Sequence, residues 1–129
     1  QIESKMTIDR YIDQCVVVAN ERKFVSALIV PDFQALEAYA DQNGIGFASH
    51  EELCCKPEIV EFLRNRIDTL QQDLSDYERI KHFILLPTPF SVESGELTNT
   101  LKVKRNVVYK RYADMIDQLY RKAEQNFKP

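Results

Sequence analysis

The feature that most constrains the fold is the apolar spacing between Ile59 and Tyr77. Ile59, Leu63, Ile67, Leu70, Leu74 and Tyr77 recur at steps of 4, 4, 3, 4 and 3. That period lines one face of an α-helix and leaves the other polar. The spacing predicts a helix of about six turns, with Pro57 in the first turn, where its missing N–H costs nothing. An apolar stripe of that length must be buried against another layer, and β-branched runs elsewhere in the chain offer one.

Tyr11 to Ala19 reads as a strand, with Val16, Val17 and Val18 in succession. Phe24 to Val30 reads as a second strand ended by Pro31, and the polar Asn20-Glu21-Arg22-Lys23 joins the two as a hairpin loop. Lys81 to Leu86 is a third, closed by Pro87 and Pro89. Ahead of them, Glu3 to Ile8 reads as a helix end, with Ile2 and Met6 spaced i, i+4. Asp32 is placed to cap a helix carrying Phe33, Leu36, Tyr39 and Ala40, which Asn43-Gly44 stops. Ser49-His50-Glu51-Glu52 has capping-box spacing and opens a short helix. Residues 91–101 form a loop, and one final helix carries Val108, Tyr112, Met115, Ile116, Leu119 and Tyr120 on one face. The expectation is a small α+β domain, a three-stranded sheet covered by helices, running as a single domain over residues 1–129.

Composition narrows the function classes. Of 129 residues, 44% are hydrophobic and 29% charged, enough for a core and unlike a disordered tail. No apolar run approaches the roughly 18 residues of a membrane span, and the polar, charged start is unlike a secretory signal. Cys15, Cys54 and Cys55 have no metal-ligand spacing, and neighbouring cysteines bridge poorly, so reduced thiols and a cytoplasmic setting are expected. Cys15 falls in an apolar stretch and is expected in the core. The net charge of −3 argues against a general nucleic-acid binder. The charge is uneven, however. Residues 1–100 hold 9 basic and 17 acidic groups, whereas residues 101–129 hold 8 and 3, densest in base from Lys102 to Arg111. Such a stretch on an acidic body suits either a solvated helix face or a local anion contact.

Most catalytic templates are absent: no Gly-rich phosphate loop, no nucleophile elbow and no zinc-binding helix. His50 and His82 stand apart without a cysteine or carboxylate pattern around them. The segment Ser91-Val92-Glu93-Ser94-Gly95-Glu96-Leu97-Thr98-Asn99-Thr100-Leu101-Lys102-Val103-Lys104-Arg105 differs, being a polar loop that feeds a basic helix start. Cations oppose the macrodipole there unless an anion visits. A lysine beside free backbone N–H groups can serve a phosphate.

This segment carries a resemblance. Ile80-Lys81-His82-Phe83 through Leu97-Thr98-Asn99-Thr100-Leu101-Lys102-Val103-Lys104-Arg105 resembles the C-terminal end of AMP-forming long-chain acyl-CoA synthetases, members of the adenylate-forming superfamily. Upstream, Gln1-Ile2-Glu3-Ser4 is similar to that family's Pro-x-x-Ile-Glu helix. Tyr11–Val18 and Arg22–Asp32 resemble its paired strands, and Leu74–Glu78 the segment before its third strand. The likeness covers the whole chain in order.

The resemblance implies the mobile C-terminal lid of a much larger enzyme, whose ATP-binding, carboxylate-binding and hinge motifs would lie before Gln1 in a large N-terminal domain. That enzyme would turn a fatty acid, ATP and CoA into acyl-CoA, AMP and pyrophosphate with Mg²⁺, and its lid would swing between two poses. The partner implied is the enzyme's own N-terminal domain; no nucleic acid, transmembrane segment or tightly bound cofactor is implied for the lid. The superfamily's last core motif is Thr-x-Ser-Gly-Lys-Ile-x-Arg, whose lysine serves adenylation. Thr98-Asn99-Thr100-Leu101-Lys102-Val103-Lys104-Arg105 aligns without a gap. Lys102 then takes the catalytic position, with Thr98, Thr100 and Arg105 as supporting loop residues and no metal ligand. Lys104 would take the lysine's place if the loop slipped by two. Leu101 stands where Gly is usual, and Thr100 where Ser is. Two other readings are another adenylate-forming ligase's C-terminal domain, and a non-catalytic interaction module sharing the fold.

Overall fold

Residues 2–126 are described by a computed structural model and fall into two compact units, one ending at Pro89 and one beginning at Phe90. In the first unit the order is α1 (Ile2–Thr7), β1 (Ile12–Val18), β2 (Val25–Pro31), α2 (Phe33–Gln42), α3 (His50–Cys55), α4 (Pro57–Leu70) and β3 (Ile80–Leu85). The second holds a long loop, α5 (Arg105–Arg111) and α6 (Ala113–Asn126).

The sheet order is β1-β2-β3. β1 and β2 form the expected antiparallel hairpin, with Val16 opposite Leu28 and Val18 opposite Ser26. β2 and β3 are parallel, with Ala27 opposite Phe83 and Ile29 opposite Leu85. A parallel pair needs a long crossover, and α2, α3 and α4 supply it. Burial follows from the topology: six of the seven residues of central β2 are buried, whereas β1 alternates with exposed or half-buried positions. Met6, Leu36, Ala40, Leu53, Ile59, Leu63 and Ile67 pack with Ala27 and Ile29 in one core, which also takes Cys15 and Cys54. All three cysteines are free thiols, and burial, first among the causes, pushes Cys54 up to about 12.

The local signals act as expected at several ends. Asp32 caps α2 by accepting from the Ala35 amide at 3.1 Å. Ser49 accepts from the Glu52 amide at 3.1 Å, although the Glu52 carboxylate reaches the Ala48 amide and leaves the box half-formed. Glu3 accepts from the Val17 amide at 2.7 Å, which ties α1 to β1. Asp9, just after α1, receives Nε and Nη2 of Arg66 on α4 at 2.7–2.9 Å, and the Tyr11 amide at 3.0 Å. Arg66 also lies over the Tyr11 ring, 4.7 Å from its centre.

Two expected helices end differently. The stripe begun at Ile59 remains helical only to Leu70, and Tyr77 is 81% exposed in a short 3-10 turn, Asp76–Glu78. The cause is Gln71, a buried polar residue. Its side-chain amide donates to the Ile80 carbonyl at 3.0 Å and accepts from the Ile80 amide at 2.8 Å, taking a strand partner's place and holding the chain where β3 begins. A separate box, Ser75 with Glu78, opens the 3-10 turn. The last helix is two helices, broken at Tyr112, whose backbone leaves helical geometry at φ −105° and ψ 19°. Asp114 in the first turn of α6 favours a new start there. Val108, Ile116 and Tyr120 are buried as expected, whereas Met115 is exposed.

Candidate functional site: the Lys102 hairpin

The basic segment lies in the second unit, where a small hairpin precedes α5. Leu97 and Val103 form an isolated antiparallel bridge. The Thr98 amide donates to the Lys102 carbonyl at 2.8 Å, and the Lys102 amide donates to Thr98 Oγ1 at 3.1 Å. Between these residues the Leu101 amide donates to the Thr98 carbonyl at 2.8 Å. Asn99, Thr100 and Leu101 therefore form a three-residue hairpin loop. In such loops a turn is followed by one residue in the left-handed region.

That residue is Leu101, with φ +66° and its side chain 68% exposed. The expectation of Gly at this position has its physical reason here: only Gly takes the left-handed conformation without strain. Leucine keeps the turn, at a strain of about 1–2 kcal/mol. Leu101→Gly should therefore raise the urea midpoint without changing the slope of the transition. The gain should be about 0.5–1 kcal/mol after the extra chain entropy of Gly is subtracted. Leu101→Ala should show no such gain, and a lower midpoint for Leu101→Gly would contradict the strain.

The sequence-predicted residues gather as follows. Thr98, Thr100 and Lys102 share the hairpin, with the two threonine hydroxyls 3.1 Å apart. Arg105 lies three residues on, as the first residue of α5. Thr98 Oγ1 is engaged by the Lys102 amide, so its evident work is to shape the loop. Lys104 has a different backbone task. It caps α5, its amide donating to the Glu96 carbonyl at 2.8 Å and its carbonyl accepting from Val107 and Val108. Among the described residues of this unit, no ion pair or hydrogen bond holds the ammonium of Lys102 or of Lys104. A cation left unneutralised on an exposed hairpin is free to meet an anionic ligand.

Sequence reasoning missed the groups beneath the hairpin. Glu96 is buried, only 2% exposed, and its Oε1 accepts from the Ser94 hydroxyl at 2.6 Å. Its Oε2 lies 3.4 Å from Nη1 of Arg111, an ion pair without hydrogen-bond alignment. Arg111 also donates from Nη2 to the Ser94 carbonyl at 3.0 Å. Burial, and secondarily the Glu96 carboxylate, raises the phenol of Tyr112. Glu96 and Arg111 are 15 residues apart, and no spacing rule pairs them. The same holds for His50, whose Nε2 lies 2.6 Å from Glu37 on α2 and whose ring stacks on Phe33 at 3.9 Å. That arrangement joins α2 to α3.

Comparison with known proteins places the chain in a family. Residues 1–124 match the family model described as the AMP-binding enzyme C-terminal domain, and the chain belongs to that family. It is 33% identical over 122 residues to the long-chain-fatty-acid–CoA ligase FadD15 of Mycobacterium tuberculosis, covering 94% of this chain and 20% of that protein. It is 32% identical over 106 residues to the long-chain-fatty-acid–CoA ligase 5 of Rattus norvegicus, covering 81% and 15%. The chain thus spans about a fifth or less of the length of these relatives. Among solved structures, the adenylation domain of a carboxylate reductase from Mycobacterium chelonae superposes with a TM-score of 0.70 at 30% identity, over 92% of this chain and 17% of that one. The adenylation and carrier didomain of a carboxylic acid reductase from Segniliparus rugosus shares the fold, with a TM-score of 0.73 at 24% identity over 96% and 16%.

Proposed function

We propose that residues 1–129 act as one domain, the C-terminal lid of an AMP-forming long-chain fatty acid–CoA ligase, and that Lys102 is its adenylation lysine. The observation that carries this reading is the three-residue hairpin with a left-handed third residue and an unneutralised lysine directly after it, in a chain of this family. The curated relatives support the long-chain fatty acid as substrate, since their names state it.

In the first half-reaction a fatty-acid carboxylate oxygen attacks the α-phosphorus of ATP. The bond from that phosphorus to the bridging oxygen breaks, and its electron pair leaves on pyrophosphate. Negative charge gathers on the phosphoryl and bridging oxygens. A point cation placed there stabilises the transition state more than the bound substrates. Lysine suits the task because its ammonium is compact and its stem long. Thr98 and Thr100 hold the loop that aims it, and Arg105 supports the loop from the start of α5. In the second half-reaction the CoA thiol sulfur attacks the acyl carbonyl, AMP leaves with the electron pair, and the thiol proton passes to solvent. The lid turns between the two steps, which takes Lys102 out of the site.

Magnesium accompanies ATP in such chemistry. Among the described residues no group of three or more His, Cys, Asp or Glu side chains could hold a metal ion, so this chain does not fit as its cage. We place no step through it on these residues. Among the described residues no helix is long and apolar enough to cross a membrane. The partner of the lid is the N-terminal domain of the same enzyme, which would carry the ATP and fatty-acid sites.

The test compares two polypeptides given palmitate, ATP, Mg²⁺ and CoA. The full-length enzyme should release AMP and form palmitoyl-CoA. The 129 residues alone should form none, because on this reading the ATP and fatty-acid sites belong to the N-terminal domain. Thioester formed by the isolated 129 residues would overturn the lid reading, and a full-length protein inert toward fatty acids would overturn the substrate.

A further inference from the structure

The mechanism above makes no use of the buried carboxylate beneath the hairpin. Glu96 is 2% exposed, and an ionised group at that depth is poorly stabilised unless all of its acceptor sites are filled. Here one oxygen has the Ser94 hydroxyl, and the other has no aligned hydrogen bond, with the Arg111 guanidinium at 3.4 Å and the Tyr112 phenol also near the carboxylate. A well-packed apolar side chain would serve stability as well or better. The position of the carboxylate shows what it can do instead.

Glu96 sits where three pieces of backbone meet. Its amide donates to the Ser91 carbonyl at 3.2 Å, which fixes the incoming loop. Its carbonyl accepts from the Lys104 amide at 2.8 Å, which fixes the chain just after Lys102 at the entrance to α5. Its carboxylate faces Arg111 in the last turn of α5, and Arg111 reaches back to the Ser94 carbonyl. The first arm of the hairpin, its return and the helix that follows thus meet at one residue, the first two through its backbone and the helix through its side chain and Arg111. The turn between the two arms is held in a strained conformation at Leu101, and a strained turn persists only where its surroundings over-determine it.

We propose that Glu96, held by Ser94 and Arg111, is a positioning residue that sets the direction of the Lys102 hairpin for adenylation. The inference rests on the reading of Lys102 given above. Glu96 does not touch the reacting atoms; its side chain acts through Ser94 and Arg111, which hold the loop before the hairpin and the helix after it. An error of about 1 Å in a catalytic group is worth up to about a hundredfold in rate. Glu96→Gln keeps the size of the side chain and an oxygen for Ser94 but removes the charge that holds Arg111. It should lower the turnover of adenylation by about tenfold to a hundredfold, with little change in the KM for ATP.

The experiment is a double-mutant cycle in the full-length ligase. Wild type, Glu96→Gln, Lys102→Ala and the double variant are each measured by pyrophosphate exchange and by acyl transfer from pre-formed acyl-adenylate to CoA. If Glu96 acts through Lys102, Glu96→Gln slows exchange in the wild-type background. It should change exchange less than about twofold once Lys102 is gone, and should leave acyl transfer intact. Equal loss in both backgrounds, or in both half-reactions, overturns the positioning role while leaving Lys102 untouched. Full exchange activity in Lys102→Ala overturns the reading of Lys102 itself. If Glu96→Gln does not fold, Ser94→Ala and Arg111→Met each remove one of its partners and enter the same cycle. A loss confined to exchange supports the proposal, and unchanged exchange in both overturns it.

Discussion

Arg66→Ala is expected to destabilise the chain by about 3–4 kcal/mol, the lower part of the loss when a buried ion pair is left with one member, because only Asp9 is fully buried and Arg66 is half-buried. The Asp9 side chain is 5% exposed and takes three contacts of 2.7–2.9 Å from Arg66. Removing the guanidinium strands a carboxylate that water reaches poorly. It also uncovers the rings of Tyr11 and Phe62, over which Arg66 lies at 4.7 and 5.6 Å. The reciprocal change should be milder. Arg66 is 35% exposed, and in Asp9→Ala its charged end can turn to water. A loss of about 2–3 kcal/mol is expected there, from charged hydrogen bonds and the freed Tyr11 amide. Arg66→Lys should recover only part of the loss, because an ammonium cannot present the two-pronged fork. Urea denaturation of the three variants checks the order. If Asp9→Ala proved more damaging than Arg66→Ala, the burial asymmetry would not be what governs this pair.

That pair also marks where the sequence stops being legible. The elements signalled locally were readable: the β1–β2 hairpin from its β-branched runs, Asp32 as a cap, Pro57 at a helix start, and Asn43-Gly44 as a stop. Such signals act within a few residues. The end of α4 was misplaced because an apolar period continues through Leu74 and Tyr77, while the residue that ends the helix, Gln71, works by pairing with Ile80 nine residues on. The break at Tyr112 has neither Gly nor Pro to announce it. Asp9 with Arg66, Glu37 with His50 and Glu96 with Arg111 are meetings made by the fold, and periodicity has nothing to say about them. The Lys102 hairpin was legible through a resemblance, and its conformation was not. Leucine at position 101 gives no hint of a left-handed backbone, and the motif's usual glycine does.

Lys102→Ala is expected to have the largest effect on chemistry. In the full-length ligase it should slow adenylate formation by about 10²–10³, the usual value of one preorganised electrostatic donor. The loss should fall on turnover rather than on KM, because the charge it meets is greatest in the transition state. Lys102→Arg should restore only part of the rate, since a planar fork does not replace a compact ammonium at a crowded phosphate. Lys104→Ala should have a much smaller effect, because the task of Lys104 at the start of α5 is performed by its backbone, which alanine retains. A larger defect for Lys104→Ala would transfer the catalytic role by two residues.

The measurement that bears most directly on the lid is the ratio of the two half-reactions in one variant. Lys102→Ala is assayed for pyrophosphate exchange with fatty acid and ATP, and separately for acyl-CoA formation from pre-formed acyl-adenylate and CoA. A lid that carries Lys102 into the site for the first step and away for the second predicts a loss of about 10²–10³ in exchange, with acyl transfer near the wild-type rate. An equal loss in both half-reactions would contradict it, and would make Lys102 a residue that holds the hairpin rather than one that meets the phosphate.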